Sequence, residues 1–239
     1  MTRAAHQAEE LLDLLRARGA LPLSVPVLEL EPLLGEAELA LLREGIQGGR
    51  WDDVVFTSAN AVRLVLPRVG AEPPAIRVFA IGPGTAALVE GLGWPVEALP
   101  ESFIAESLAE RLVADGVSGR RLLLPKAAGA RPVLPRRLEA AGALVEEVEV
   151  YRMRPALRAS LALERALAEP ELDAVVFASA SSVEGFRTLH REPELPPAVL
   201  VACIGPITAE AAIRAGIRPG LVAEEHSLLG LVAALEKAL

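Results

Sequence analysis

Residues suited to holding an anion recur twice in this chain. Ala80-Ile81-Gly82-Pro83-Gly84-Thr85-Ala86-Ala87 reads as a strand end, a tight turn and a helix opening at Thr85. Cys203-Ile204-Gly205-Pro206-Ile207-Thr208-Ala209-Glu210 repeats the pattern, with Gly82 and Gly205 standing 123 residues apart. Such a turn leaves backbone N–H groups free at a helix N-terminus, where negative charge is favoured. Thr85 and Thr208 suit the capping position and still leave neighbouring N–H groups for a ligand. Ser58-Ala59-Asn60 and Ser179-Ala180-Ser181 stand just past two further strand ends. Open α/β sheets bind ligands at that edge, although helix capping is the plainer role for these residues. Lys126 and Arg131 flank the small-residue loop Ala127–Ala130; they either meet carboxylates or face solvent. Tyr151 is the only tyrosine and ends an alternating strand. Its phenol is able to donate a proton or a hydrogen bond, or else simply packs.

Other chemistries fit less well. Gly82 to Ala87 also matches G-x-G-x-x-A, but the second copy lacks the middle glycine and the motif does not open the first βαβ unit. Glu97 comes too early for the ribose-binding acid, and Glu101 follows a proline. Ser58 lies outside any G-x-S-x-G elbow, and no histidine is placed to activate it. His6, His190 and His226 are scattered, so no metal site is expected, and no organic cofactor motif stands out. Cys203, the single cysteine, reads as a small buried hydrophobe and excludes an intramolecular disulfide. A net charge of −8 argues against nucleic acid as a partner. No run of 18 apolar residues is present to span a membrane. Glu9, Glu10 and Asp13 stand where a secretory apolar segment would lie, so a cytoplasmic protein is expected.

The elements that must position these residues alternate. Hydrophobic residues make up 52% of the chain and aromatics 3%, so the core is aliphatic, which suits helices packed on parallel strands. Helices are expected over Ala5–Arg18, Leu39–Ile46, a short stretch following Asn60 through Val65, Thr85 to Gly91 or Gly93, Ile104–Ala114 and Val133–Ala141. Strands are expected over Asp53–Thr57, Ile76–Ile81, Val96–Leu99, Arg121–Leu124 and Leu144–Met153. Pro22 and Pro26 make Ala20–Glu31 an edge strand or connector. This alternation means parallel α/β layers.

An internal repeat organises the elements. Val54 to Val62 matches Val175 to Val183 at an offset of 121; the Gly-Pro turns, Gly93 with Gly216, and Leu108 with Leu231 follow at 123. The N-terminal helix and its following strand have no second-half counterpart at that spacing. They are expected to complete the C-terminal domain. One domain then spans 1–25 and 156–239, the other is the insert 33–149, and segments 26–32 and 149–155 link them.

Order and spacing together resemble the uroporphyrinogen-III synthase family over nearly the whole chain. The resemblance rests on Gln7–Leu11 with Gly19-Ala20, Val25–Glu29, Phe56–Val62 and Ile81–Thr85. It continues through Leu123–Lys126, Arg131, Leu134, Leu138, Gly142-Ala143, Val148–Tyr151, Phe177–Ser179 and Ile204–Ala209. It implies two flavodoxin-like, three-layer α/β domains joined by a two-stranded link, with the active site in the cleft between them. The implied substrate is hydroxymethylbilane, a linear tetrapyrrole with eight carboxylates. It is closed with loss of water and inversion of the fourth pyrrole through a spiro intermediate, without cofactor or metal. The resemblance makes Tyr151 the candidate proton donor and Thr208 the second catalytic candidate. It implies ligand contacts at Ser58, Ala59, Asn60, Gly82, Gly84, Thr85, Ser179, Ala180, Ser181, Gly205 and Ile207, with Lys126 and Arg131 as supporting cations, and a transient contact with the preceding pathway enzyme. Two departures stand out. The family opens with a strand before Thr-Arg, whereas this sequence begins Met1-Thr2-Arg3, which places the role of Arg3 in doubt. Lys126 replaces a more usual arginine, which exchanges a bidentate grip for a point charge. A non-catalytic two-domain binding protein closing on an anionic small molecule is the competing expectation, and Tyr151 is the residue that binding alone does not require.

Overall fold

The computed structural model describes residues 9–70, 75–97, 99–169, 171–190 and 195–239. Its elements run α1 (Glu9–Arg16), β1 (Leu28–Pro32), α2 (Glu36–Gln47), β2 (Asp53–Phe56), α3 (Ala59–Val69), β3 (Arg77–Ala80), α4 (Pro83–Gly91) and α5 (Ala105–Ala114). They continue β4 (Arg121–Ala127), α6 (Val133–Ala140), β5 (Leu144–Pro155), α7 (Ser160–Leu167), β6 (Ala174–Phe177), α8 (Ala180–Leu189), β7 (Leu200–Cys203), α9 (Pro206–Arg214), β8 (Leu221–Val222) and α10 (Leu228–Ala238). The chain divides into two compact units, one of Met1–Leu30 with Met153–Leu239 and one of Glu31–Arg152. No described helix is long and apolar enough to cross a membrane. The expected helix start at residues 5–8, the question of a strand before Thr2, and Arg3 itself fall outside the described residues.

The Glu31–Arg152 unit is built on a sheet of order β1-β5-β4-β2-β3. Strands β2, β3, β4 and β5 are parallel. Strand β2 sits between two neighbours with helices covering its faces, and Asp53, Val54, Val55 and Phe56 are all fully buried. A buried parallel strand reads as a continuous apolar run for that reason. Strand β1 holds the far edge. Val27 O accepts from Ala156 N, and Leu33 N donates to Val150 O, so β1 and β5 run antiparallel. Cross-strand ion pairs Glu29–Arg154 and Glu31–Arg152 keep the same register.

Two expectations fail in this unit for the same physical reason, the missing N–H of proline. Strand β4 does not stop at Pro125; it runs to Ala127. Its pairing to β2 is confined to Leu122 and Leu123, so Pro125 faces no β2 ladder bond that it would break. Lys126 is therefore a strand residue and not part of the following loop. Conversely, no strand forms at Val96-Glu97. Glu97 N donates to Val78 O at 2.8 Å and the pairing goes no further. Pro95 and Pro100 bracket the stretch and deprive it of donors; Ala98 lies outside the described residues.

The other unit carries a parallel sheet of order β6-β7-β8 among the described residues. One face is filled by Val25, Val27, Leu163, Phe177, Val183, Phe186 and Cys203. The other is covered by Leu11 and Leu15 of α1 with Leu231, Val232 and Leu235 of α10. Helix α1 thus packs within the C-terminal unit, its buried face being Leu11, Leu12 and Leu15. Phe177 and Phe186 meet edge to face with centroids 5.2 Å apart.

At the amino end of β2 the carboxylate of Asp53 is fully buried and held by two arginines. Arg77 donates through Nε (2.6 Å) and Nη2 (3.0 Å), and Arg120 through Nε and Nη2 (2.7 Å each). Arg77 lies directly opposite Asp53 on β3, and Arg120 immediately precedes β4. The triad therefore joins three neighbouring strands at one end of the sheet.

Candidate active site

The carboxyl ends of the strands carry the repeated turns. In one unit Phe56 pairs with Ala80, so α3 and α4 open side by side. In the other Phe177 pairs with Cys203, so α8 and α9 do the same. Ser58 and Ser179 are N-caps: Ser58 Oγ accepts from Ala61 N and Ser179 Oγ from Ser182 N, each at 3.2 Å. The capping role weighed for these serines is the one they have.

The Gly-Pro turns work differently from expectation. Helices α4 and α9 open at Pro83 and Pro206, with Gly82 and Gly205 as N-caps lacking any side-chain bond. Proline's fixed φ suits the first helical position and its absent N–H costs nothing there. Thr85 and Thr208 consequently fall inside the first turn and do not cap. They are 7% and 4% exposed, and neither hydroxyl makes a hydrogen bond among the described residues. Neither oxygen is fully enclosed, since among the described residues the one unpartnered side-chain atom that is fully enclosed belongs to His190. Gly82 and Gly205 have extended backbones that any residue adopts (φ −171° and 179°). What disfavours a side chain there is crowding. A Cβ on Gly82 would lie 3.2 Å from Cβ and Cγ of Phe103, and one on Gly205 would lie 3.1 Å from Cδ2 of His226.

Six amide N–H groups at these four helix openings have no protein acceptor among the described residues: Ala59, Asn60, Gly84, Ala180, Ser181 and Ile207. All six are among the positions that the sequence marks for ligand contact. Three belong to each unit.

Tyr151 joins this edge from β5. Lys126 pairs with Glu149, then Ala127 with Tyr151, so Val150 is an extra residue and β5 bulges. Val150 and Tyr151, the two residues at the bulge, are both buried. The bulge turns Tyr151 inward opposite the small Ala127, and its hydroxyl donates to Ser58 Oγ at 3.0 Å. Strand β5 continues to Pro155, so Tyr151 lies within the strand and not at its end.

The cations are less available than the sequence suggests. Lys126 forms an ion pair with Glu147, two positions from its partner Glu149 on the neighbouring strand. Its charge is already met. Arg131 is exposed and makes no ion pair among the described residues. Cys203 is buried on β7, and burial pushes its thiol up to about 11, so it is inert at neutral pH. No cluster of three potential metal-binding side chains occurs among the described residues. Phe103, His226 and the Asp53 triad were not singled out from the sequence. The repeat contained the signal for the first two, which stand 123 residues apart like the glycines that they touch.

The family model described as uroporphyrinogen-III synthase HemD matches residues 9–233. The chain belongs to the uroporphyrinogen-III synthase family. The uroporphyrinogen-III synthase of Synechococcus elongatus is 32% identical over 99% of this chain and 93% of that protein. A Methanothermobacter thermautotrophicus protein, provisionally given the same name, is 34% identical over 98% and 96%. A crystal structure of a mutant uroporphyrinogen III synthase from Thermus thermophilus shares the fold, with a TM-score of 0.62 at 23% identity, covering 100% of this chain and 98% of that one. Each unit of this family member thus presents unpaired amides at two helix openings, and the Glu31–Arg152 unit adds a buried tyrosine whose hydroxyl donates to Ser58.

Proposed function

We propose that this synthase closes hydroxymethylbilane with loss of water and inversion of the fourth pyrrole, and that its two compact units are two domains gripping the substrate between them. In this reading 1–25 with 156–239 and 33–149 are the domains, and 26–32 and 149–155 are the linking strands. Four helix openings then meet side-chain carboxylates of the substrate. Each helix N-terminus favours a carboxylate by about 0.3–1 kcal/mol at exposed positions. Together with Arg131, that offsets the repulsion expected from a net charge of −8. Folding the flexible chain so that its ends meet supplies the proximity term.

The observation that carries the reading is the Tyr151–Ser58 pair. Two hydroxyls share one hydrogen bond, so one O–H proton is spent between them and one remains. Ser58 Oγ already accepts from Tyr151 and from Ala61 N. Its two lone pairs are then used, and its own proton is the one left to give. That proton assists departure of the substrate hydroxyl as water, driven by electron release from the adjacent pyrrole. The resulting methylene carbon bonds to the substituted position of the fourth ring, which gives the spiro intermediate. After rearrangement, loss of a ring proton at final closure restores the hydroxyl pair. Thr208 and Thr85 offer further hydroxyls to the ligand, and Thr208 remains the second catalytic candidate. Hydroxymethylbilane also closes unaided without inversion, so direct handover from the enzyme that makes it belongs to this reading.

The test supplies freshly made hydroxymethylbilane to the purified chain and separates the porphyrin isomers after oxidation. The inverted isomer is expected to dominate, at a rate well above spontaneous closure. Non-inverted product alone, at the uncatalysed rate, would sink the proposal and favour a binding protein.

A further inference from the structure

We infer that Phe103 and His226 are an equivalent pair of ring side chains that seat two pyrrole units of the substrate on the Gly-Pro turns. The inference rests on the synthase reading above. Phe103 and His226 occupy the same place in the two units. Each directly precedes the N-cap of the next helix, Ile104 for α5 and Ser227 for α10. Each lies against the glycine of its own unit's turn, so close that a Cβ there would push the ring aside. The two glycines thus leave room for a ring to stand beside the opening of α4 and of α9.

Neither ring is there for the core. A residue before an N-cap commonly staples onto the fourth helical position, which is Leu108 or Leu231. Both leucines are fully buried, yet Phe103 is 56% exposed. His226 is exposed as well. Exposing more than half of a phenylalanine ring forgoes burial that a ligand would restore. A second observation marks the same turns as ligand-facing. Thr85 and Thr208 are more than nine-tenths buried, and their unpartnered hydroxyls keep contact with solvent. Each turn therefore presents a ring, a free hydroxyl and a free amide, at Gly84 or Ile207.

That combination matches a pyrrole with an acidic side chain. The ring packs on the pyrrole, and the amide and hydroxyl take the carboxylate. The halves are not identical, and the difference suits an asymmetric substrate. Phe103 offers an apolar face only, whereas His226 adds an N–H that donates to a second carboxylate.

The test is steady-state kinetics of the full chain with hydroxymethylbilane, together with isomer ratios and melting temperatures. Phe103→Ala and His226→Ala are each expected to raise KM about 3–10-fold, in keeping with the ~0.5–1.5 kcal/mol of a ring contact. Turnover at saturation should change less than threefold and melting by no more than a degree or two. His226→Asn, which restores an N–H, should recover part of the loss, and the double variant should multiply the two effects. KM values within twofold of wild type would overturn the inference and leave the synthase reading intact. A fall in melting temperature that tracks the change in KM would overturn it too, because it would make the rings structural braces. Failure of the wild-type chain to make the inverted isomer would instead remove the reading on which the inference stands.

Discussion

Replacing Tyr151 with phenylalanine is expected to lower kcat by about 100-fold, the lower end of what a positioned proton donor contributes, while product affinity stays within twofold. The ring still fills its buried position opposite Ala127, so the bulge and the packing survive. Only the hydroxyl that donates to Ser58 is gone. Ser58→Ala should give a comparable loss of kcat, because it removes the partner through which the proton leaves. It also removes the cap of α3 and so should cost a further ~0.5–2 kcal/mol of stability. Ser58→Thr keeps both the hydroxyl and the cap and should retain most activity. If the two hydroxyls act as one unit, the double variant should be no slower than the worse single variant. Measured kcat, KM and product affinity for the four variants decide the matter. A double variant whose losses multiply would show independent roles. A Tyr151→Phe protein that loses turnover and product binding equally would show that the phenol packs and does not donate.

The sequence made the four turns legible because the repeat displays them twice at nearly constant spacing, and local backbone chemistry follows from local residues. Its errors came from context. Thr85 and Thr208 read as caps because threonine caps well, but a proline two residues earlier had already set the helix start. Pro125 read as a strand end because its effect depends on whether a neighbour needs its N–H, which is a matter of sheet order. The bulge at Val150 leaves no trace in a run of valines and glutamates, so Tyr151 could be noticed for being the only tyrosine but not placed on Ser58. Phe103 and His226 are different residue types, so the repeat that relates them was visible only by counting. Asp53, Arg77 and Arg120 lie 24 and 67 residues apart, and only the strand order β3-β2-β4 brings them together.

That triad has the larger consequence for stability. Asp53→Asn is expected to destabilise the Glu31–Arg152 unit at pH 7 by about 3–5 kcal/mol, as removing one member of a buried ion group does. The shape is kept but the charge is lost, so two guanidiniums are left without the carboxylate that joined them. Their partial exposure, 28% and 32%, places the effect near the lower figure. Burial alone would raise the pKa of Asp53, but the hydrogen bonds from Arg120 and then Arg77 outweigh it and hold the carboxyl below its ordinary 3.8. A depressed folded pKa means that this stabilisation is complete above the unfolded value and is lost as pH falls through the folded one. Nearby Asp52, held at about 2 chiefly by its hydrogen bond from the Arg121 side chain, adds loss of the same sign. The gap between wild type and Asp53→Asn should therefore be full above about pH 4 and close as the pH falls below 3.8 through the lowered pKa of Asp53, where the wild-type carboxyl becomes neutral like the amide. Denaturant unfolding of both proteins across that range measures it. A gap unchanged at low pH would mean that the charge of Asp53 is not what stabilises. The activity of the molecules that remain folded should be unaltered. Asp53 begins β2 and Ser58 lies just past its end, about 16 Å away at ~3.3 Å per residue, so one strand carries its structural charge at one end and its chemistry at the other.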